Sequence, residues 1–195
     1  VDPKALPPTD RLLDPALAGG ALLDGGVYSL AAMTVAMGRL EEPTEFFSSV
    51  LPASTGVDAE STLFLRFADG MTANLMCGLY RREFRTVITC EEGSILIPRH
   101  RNPDMVLVGS RPQIHCDQSY WQDHRVMRFP FPGEGFQYEA AAVQEWVRAG
   151  LTVSPEVPPE ETLLISGLCD RVRAAAGIVY PFEQNRDAGE AASQI

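Results

Sequence analysis

The sequence predicts an α+β fold, with an open, mostly antiparallel sheet of about seven to eight strands and helices on one face. Three features of the 195-residue chain indicate it: an apolar helical pattern comes first, short strands joined by turns follow, and two helical patterns come last. Helices kept apart from a run of strands are typical of layered α+β domains, because each apolar face must be buried against another element. We expect residues 1–184 to form this domain and the polar residues 185–195 to be a frayed tail.

The first helix is predicted at residues 21–37. Its apolar residues recur mostly at spacings of three, four and seven, which is the helical period. Gly38 and Pro43 follow this segment. Glycine suits a helix C-terminal cap and proline cannot continue the backbone hydrogen bonds, so the helix is expected to end there.

Eight short strands are predicted after this helix. Asp69 and Gly70 separate two of them, and Asp-Gly is a strong hairpin signal because a type I′ turn needs positive φ at both central residues. The Glu-Glu-Gly segment 91–93 separates a second pair. Strands joined by hairpins predict an antiparallel sheet. The predicted strands are residues 46–51, 61–68, 71–80, 84–90, 94–98, 105–109, 113–115 and 125–131.

Apolar residues are predicted on both faces of the sheet. Leu63, Leu65 and Phe67 alternate onto one face. Phe64 and Met76 lie on the other, which is therefore not clearly polar. We expect a homodimer formed through this open sheet face. The alternative is that these are exposed apolar residues of the kind normal on any protein surface.

Two helices are predicted to end the domain. Residues 138–149 show helical spacing and end at Gly150. A second helix opens at residues 158–162, where prolines and acids occupy the first turn, as the helix dipole favours. The residues expected on the core face of this second helix are Leu164, Leu168, Val172 and Ala175.

Composition argues against several classes of partner. The formal net charge of -10 does not suit a nucleic-acid or anionic membrane surface, since both attract clustered Lys and Arg. The uncharged stretch 25–38 is shorter than the roughly 20 residues that span a bilayer. The four cysteines show no Cys-x-x-Cys spacing, which favours reduced thiols. We therefore expect a cytoplasmic protein that binds neither nucleic acid nor membrane.

Cofactor and metal motifs are not found in the sequence. No Gly-x-Gly-x-x-Gly follows a strand and no Gly-x-x-x-x-Gly-Lys-Ser/Thr occurs, so no cofactor-binding residues are expected in this chain. His100, His115 and His124 are far apart and no His-Glu-x-x-His occurs, so no metal site is expected either.

The segment from Arg11 to Tyr28 is the one for which a catalytic role is predicted. Two glycine pairs interrupt an otherwise strong helix signal, although each glycine costs about 1 kcal/mol relative to alanine. Glycine lets another backbone or a ligand approach closely. Asp24 and Tyr28 stand one turn apart on one helix face, so a carboxylate and a phenol are presented together. The alternative is structural: Asp24 favoured by the helix dipole and Tyr28 packed in the core.

The same segment carries a family resemblance. The run Asp-Pro-x-Leu-Ala-Gly-Gly-Ala-Leu-Leu-Asp-x-Gly-Val-Tyr, preceded by Arg11, resembles the start of the C-terminal domain in the glucose-fructose oxidoreductase / inositol dehydrogenase / rhizopine catabolism protein (Gfo/Idh/MocA) family. It is most similar to the branch that contains dimeric dihydrodiol dehydrogenase. The resemblance covers nearly the whole chain and continues at residues 57–70, 92–98, 135–140, 171, 177 and 180–183.

The resemblance implies a dihydrodipicolinate-reductase-like C-terminal domain that serves for substrate binding and dimerisation. An N-terminal Rossmann domain, absent from this chain, would bind NAD or NADP and supply a catalytic lysine. Tyr28 then takes the acid/base position, where many members have histidine, and Asp24 matches the family aspartate. A tyrosine in water has a pKa of about 10, so it needs a nearby cation to act near neutral pH. Gly25 departs from the family, where a branched aliphatic residue is usual.

Further substrate-binding residues are expected at Arg11, Phe136 and Tyr138, with surface charge and helix-start packing as the alternative roles. The expected function is an NAD(P)-dependent oxidoreductase acting on the CH-OH group of a sugar, cyclitol or trans-diol. The chain alone is expected to show no turnover, because it lacks the dinucleotide site and the lysine. The alternative is a non-catalytic dimerisation or ligand-sensing module of the same family.

Overall fold

A computed structural model describes residues 6–80, 84–109 and 125–184. These residues divide into two compact units, and each is described by itself. The first unit contains residues 6–80 and 160–184, and the second contains residues 84–109 and 125–159. The predicted strand at 113–115 and the predicted tail at 185–195 lie outside the described residues.

The first unit contains a three-stranded antiparallel sheet. Its strands are β1 (Glu45–Pro52), β2 (Asp58–Arg66) and β3 (Thr72–Gly78), with β2 in the centre. Consecutive strands pair side by side, as the sequence predicts for hairpin connections.

The turn between β2 and β3 differs from the predicted type. The Phe67 N–H donates to the Met71 carbonyl at 2.9 Å, which leaves a loop of three residues. Gly70 has a φ of +87°, whereas Asp69 does not have positive φ. A three-residue loop needs one left-handed residue where a type I′ turn needs two. The hairpin is therefore confirmed and its type I′ geometry is wrong.

Helices cover one face of this sheet. Helix α1 (Val27–Met37) and helix α3 (Pro159–Ala176) pack against inward-facing β2 residues such as Leu63 and Leu65. The Thr34 hydroxyl on α1 donates a buried hydrogen bond to the Glu161 carboxylate on α3. The opposite face carries Phe47, Phe64, Asn74 and Met76. The predicted division of apolar residues between two faces is confirmed.

Helix α3 buries the stripe that its spacing predicts, with one exception. Leu164, Leu168 and Val172 are buried in the core. Cys169 joins them. Ala175 is exposed, so its predicted place on the core face is wrong.

The predicted first helix, residues 21–37, contains two helical segments with different geometry, and a separate 3₁₀ turn precedes it. A single 3₁₀ turn (Pro15–Leu17) ends at Ala18 in the left-handed conformation, and a π-helical turn (Leu22–Gly26) then runs directly into α1. By length and composition alone, Pro15–Met37 is also apolar enough to cross a membrane, with a mean hydropathy of 1.3. We interpret it as a core segment, because its backbone breaks at Ala18 and its apolar side chains enter the core. Those buried side chains are Leu22, Leu30 and Met33.

The second unit contains a four-stranded antiparallel sheet and helix α2 (Phe136–Arg148). The strands pair in chain order and are β4 (Thr86–Thr89), β5 (Ser94–Ile97), β6 (Met105–Gly109) and β7 (Arg125–Arg128). The hairpin predicted at 91–93 joins β4 to β5, where the Cys90 N–H donates to the Gly93 carbonyl at 2.8 Å. A shallow apolar depression of about 320 Å³ on this unit is lined by Arg85, Leu96, Pro98, Met105 and Leu107.

The α+β class and the antiparallel pairing agree with the sequence prediction. The single sheet of seven to eight strands does not, because the described residues form two sheets of three and four strands. The ladder of the first sheet ends just after β3, where the Leu79 N–H donates to the Ala59 carbonyl at 2.9 Å. Within the described residues, β3 pairs with β2 and β4 pairs with β5, so the two ladders are not joined.

A buried carboxylate joins the start of the helix to the sheet. Asp58, the first residue of β2, is only 2% exposed. Its Oδ2 accepts hydrogen bonds from the Leu22 N–H and from the Ser61 hydroxyl, both at 2.8 Å. Burial raises the pKa of Asp58, and these hydrogen bonds oppose the rise because they favour the charged form.

Gly20 lies against the Asp58 carboxylate. Its φ is +125°, and a Cβ at Gly20 would lie 2.1 Å from Asp58 Oδ1. A side chain at this position would therefore be strained and would also displace the carboxylate. Position 20 therefore requires glycine, because the Asp58 carboxylate lies so close to the backbone there.

Gly20→Ala is expected to destabilise the protein more than Gly56→Ala. Gly56 also has positive φ, +92°, but a Cβ there would meet no atom within 4 Å. Gly56→Ala should lose about 1–2 kcal/mol of unfolding free energy from backbone strain. Gly20→Ala should lose about 3 kcal/mol or more, since it also disrupts buried hydrogen bonds. Urea denaturation of both variants measures the difference, and equal losses would contradict the role given to the Asp58 contact.

Candidate functional site

The site predicted from the sequence begins in the π-helical turn, which carries Asp24. The two glycines of this turn are in different surroundings. A Cβ at Gly26 would lie 3.0 Å from both Cys77 Sγ and the Leu22 Cδ1 atom, so the turn packs closely on β3. A Cβ at Gly25 would meet nothing within 4 Å. Single π turns inside helices are found frequently at functional sites.

Asp24 and Tyr28 are both reachable from solvent. The Tyr28 side chain is exposed in the first turn of α1, and Asp24 is half-buried one turn earlier. Residues four apart lie on the same side of a helix. The structure does not place Tyr28 in the core, and the juxtaposition of its phenol with the Asp24 carboxylate stays a prediction.

Arg11 lies beside Asp24. Its guanidinium Nη1 donates to Asp24 Oδ1 at 2.7 Å, across thirteen residues of chain. This hydrogen bond raises the pKa of Arg11. The structure thus joins two of the residues predicted from the sequence, and it shows a partner for the guanidinium that the sequence prediction did not include.

The close approach of two chain segments brings Arg11 to this position. The Gly20 N–H donates to the Leu12 carbonyl at 2.9 Å. A Cβ at Gly19 would lie 2.9 Å from the carbonyl carbon of Leu12, so only glycine allows this contact. The first glycine pair therefore serves backbone packing within the chain.

Tyr180 holds the same segment from the C-terminal end. Its buried hydroxyl donates to the Gly19 carbonyl at 2.9 Å. Burial raises the pKa of Tyr180. The Arg173 guanidinium lies 4.7 Å above the Tyr180 ring and forms two 2.9 Å hydrogen bonds to the Glu183 carboxylate. Sequence reasoning included Tyr180 and Glu183 in the family pattern without assigning them this structural role.

Phe136 and Tyr138 lie in the second unit, at the start of α2. Both are exposed, and the Tyr138 ring makes an edge contact with Phe131 at 5.9 Å between ring centres. Gly135, with a φ of +90°, precedes the helix, and its carbonyl accepts from the Tyr138 N–H at 3.0 Å. The predicted packing role at a helix start fits these contacts, and their role in substrate binding stays a prediction.

The arrangement in the first unit suits proton transfer. A phenol can donate or accept a proton, and a carboxylate paired with a guanidinium keeps a fixed orientation through a charge-assisted hydrogen bond. Among residues 6–80, 84–109 and 125–184, no group of three or more His, Cys, Asp or Glu side chains could hold a metal ion.

Comparison with known proteins identifies related sequences. Residues 2–96 match the family described as the GFO/IDH/MocA C-terminal domain. The chain is 28% identical over 185 residues to trans-1,2-dihydrobenzene-1,2-diol dehydrogenase of Bos taurus. That alignment covers 93% of this chain and 54% of the bovine protein. The chain therefore spans about half the length of the curated relative it matches.

Solved structures share the fold. The aldose-aldose oxidoreductase of Caulobacter crescentus, solved with glycerol, superposes with a TM-score of 0.65 at 21% identity, over 87% of this chain and 50% of that one. A 3-ketoreductase of Actinomadura kijaniata, solved with NADP and TDP-benzene, gives a TM-score of 0.64 at 22% identity, over 87% and 50% of the two chains. At these identities the likeness is one of fold.

The cysteines beneath the site are expected to resist alkylation. Burial raises the pKa of Cys77 to about 12 and that of Cys169 to about 11. At pH 8 about one Cys77 thiol in ten thousand is then ionised, and the thiolate is the reactive form. Treatment with iodoacetamide, followed by peptide mass spectrometry, should modify exposed Cys90 first. The control is the same reaction in denaturant, and native labelling of Cys77 as fast as Cys90 would show that the π turn does not stay packed on β3.

Proposed function

We propose that this chain is a member of the GFO/IDH/MocA C-terminal domain family and the substrate-side domain of an NAD(P)-dependent oxidoreductase. The proposed reaction is oxidation or reduction at the CH-OH group of a sugar, cyclitol or trans-diol. The observation that carries this proposal is the placement of Tyr28 one turn after Asp24, whose carboxylate is held by Arg11 at 2.7 Å.

In the oxidation direction, Tyr28 accepts the proton of the substrate hydroxyl as the C–H bond breaks. A dinucleotide held by polypeptide outside this chain would supply the hydride acceptor. Asp24, oriented by Arg11, accepts a hydrogen bond from a substrate hydroxyl or from a lysine supplied by the dinucleotide-binding part of the protein. In the reduction direction, Tyr28 returns the proton to the carbonyl oxygen.

The loop between β7 and α2 contains Gly133 and Gly135, but within the described residues no Gly-x-Gly-x-x-Gly run follows a strand, so they do not fit a dinucleotide. We assign the binding of NAD or NADP to polypeptide outside this chain. Two observations support that assignment: the chain spans about half of its curated relatives, and the related 3-ketoreductase was solved with NADP. On this proposal the chain by itself has no dehydrogenase activity.

The substrate class rests on the relatives and on charge. The bovine relative is named for a trans-1,2-diol of dihydrobenzene, and the Caulobacter enzyme for aldoses. Both kinds of compound are uncharged and carry neighbouring hydroxyl groups, which suit a site that presents a phenol and a carboxylate. We also propose a cytoplasmic location, because Cys77, Cys90 and Cys169 are free thiols of the kind that reducing compartments maintain.

A second candidate function is favoured by the open face of the first sheet. Phe47 and Phe64 lie there with their ring centres 6.2 Å apart, beside exposed Met76. An apolar patch on a sheet face suits a subunit interface. We therefore propose a homodimer through this face, which serves the enzyme or, as the alternative, a non-catalytic dimerisation or ligand-sensing module.

Tyr28→Phe in the full-length protein is expected to lower kcat by about 10²–10⁴-fold, because it removes the acid/base group and keeps the ring. Tyr80→Phe is the matched control, since Tyr80 is 43% exposed against 42% for Tyr28 and lies two residues after β3. Turnover is measured with NAD and NADP over a panel of trans-diols, aldoses and cyclitols. A Tyr28→Phe enzyme as active as Tyr80→Phe would remove Tyr28 from the acid/base role.

Phe47→Glu in the full-length protein is expected to give monomers, because a charge buried at an apolar interface is costly. Leu163→Glu, on the exposed side of α3, is the control: Leu163 is 71% exposed and Phe47 is 63% exposed. Light scattering coupled to size-exclusion chromatography should give a dimer for wild type and for Leu163→Glu. A dimeric Phe47→Glu protein would place the interface elsewhere.

A further inference from the structure

We propose that Asp58 is a positioning residue for catalysis, which fixes the Asp24 and Tyr28 side chains by holding the start of their helix. This inference rests on the proposed function, since it assigns Asp58 a part in the same reaction. Asp58 is not on the helix itself. It is the first residue of β2, the central strand of the first sheet.

The Asp58 carboxylate binds a backbone N–H group at the start of the helix. The N–H groups of the first helical turn have no partner within the helix, so each needs one from elsewhere. Asp58 Oδ2 accepts from the Leu22 N–H at 2.8 Å, two residues before Asp24. The negative charge also lies at the end of the helix where the dipole favours it.

The carboxylate is itself held in one orientation. The Ser61 hydroxyl donates to the same Oδ2 atom at 2.8 Å, and Ser61 is fully buried. On the other side, the backbone of Gly20 lies so close that a Cβ would be 2.1 Å from Oδ1. The Asp58 side chain therefore holds the π turn in a fixed position relative to β2.

Two contacts extend this constraint to the reacting groups. The Gly20 N–H donates to the Leu12 carbonyl, and the residue before Leu12 is Arg11. Arg11 in turn holds Asp24 at 2.7 Å. Asp58 thus contacts Gly20 and the start of the π turn, and the π turn runs directly into α1, which carries Tyr28. Asp58 itself touches neither substrate nor reacting atom.

The test uses Asp58→Asn in the full-length protein. Asparagine is nearly isosteric but uncharged, and it replaces one carboxylate oxygen with an amide donor beside the backbone N–H groups that the carboxylate accepts from, so the helix start should shift. We expect kcat to fall about tenfold to a hundredfold, as small misplacements of reacting groups do, with KM for the dinucleotide unchanged. Ser61→Ala is a milder variant that keeps the carboxylate, and it should lower kcat less.

The control for stability is Val172→Ala, a core truncation on α3 that leaves the Asp58 contacts in place. At a temperature where both variants are folded, Val172→Ala should keep kcat within about twofold of wild type. If Asp58→Asn and Ser61→Ala also keep kcat at the level of Val172→Ala, Asp58 is only a structural contact and the proposal is overturned.

A double-mutant cycle with Tyr28→Phe separates this inference from the proposed function. If Asp58 acts through the Tyr28 helix, Asp58→Asn should cost little further kcat in the Tyr28→Phe background. Full additivity would overturn the inference while leaving Tyr28 catalytic. If Tyr28→Phe alone leaves kcat unchanged, the proposed function fails. A loss of kcat seen only in Asp58→Asn would then also overturn the inference that Asp58 acts by positioning Tyr28.

Discussion

The hydrogen bond from the Leu22 N–H to the buried Asp58 carboxylate is the contact on which the first unit depends. It joins the central strand of the sheet to the start of the helix that carries the site. Burying a carboxylate is costly, and the cost is tolerable here because hydrogen bonds stabilise the charged form. The glycine at position 20 follows from the same contact, since any side chain there would displace Asp58.

A second set of contacts ties the C-terminal end of the chain to the same place. The Tyr180 hydroxyl binds the Gly19 carbonyl, and Arg173 together with Glu183 holds Tyr180 in position. The contact between Tyr180 and Gly19 spans 161 residues of sequence. Two hydrogen bonds, one between Asp58 on β2 and Leu22 and one between Tyr180 in the C-terminal segment and Gly19, therefore define where the glycine-rich segment lies before it enters the helix.

Local sequence patterns predicted much of the fold, but they could not predict contacts between residues far apart in the sequence. Helical spacing located α1 and α3, and turn residues located both hairpins, because these signals depend on neighbouring residues. The three-residue turn at Asp69 and Gly70 was missed because Asp-Gly suits more than one loop length. Asp24 and Tyr28 could be paired by spacing alone. Asp58 could not be linked to Leu22, since no local signal reports a contact across 36 residues.

The π turn has a consequence for the register of the helix. Leu22 and Leu30 are eight residues apart, which in a regular α-helix would separate them by about 80° around the axis. Both are nevertheless buried in the same core. The wide turn takes up one additional residue, so that eight residues complete about two turns. The turn thus behaves as a one-residue insertion within the helix, and alignments of relatives that lack it should show a single-residue gap between Leu22 and Val27.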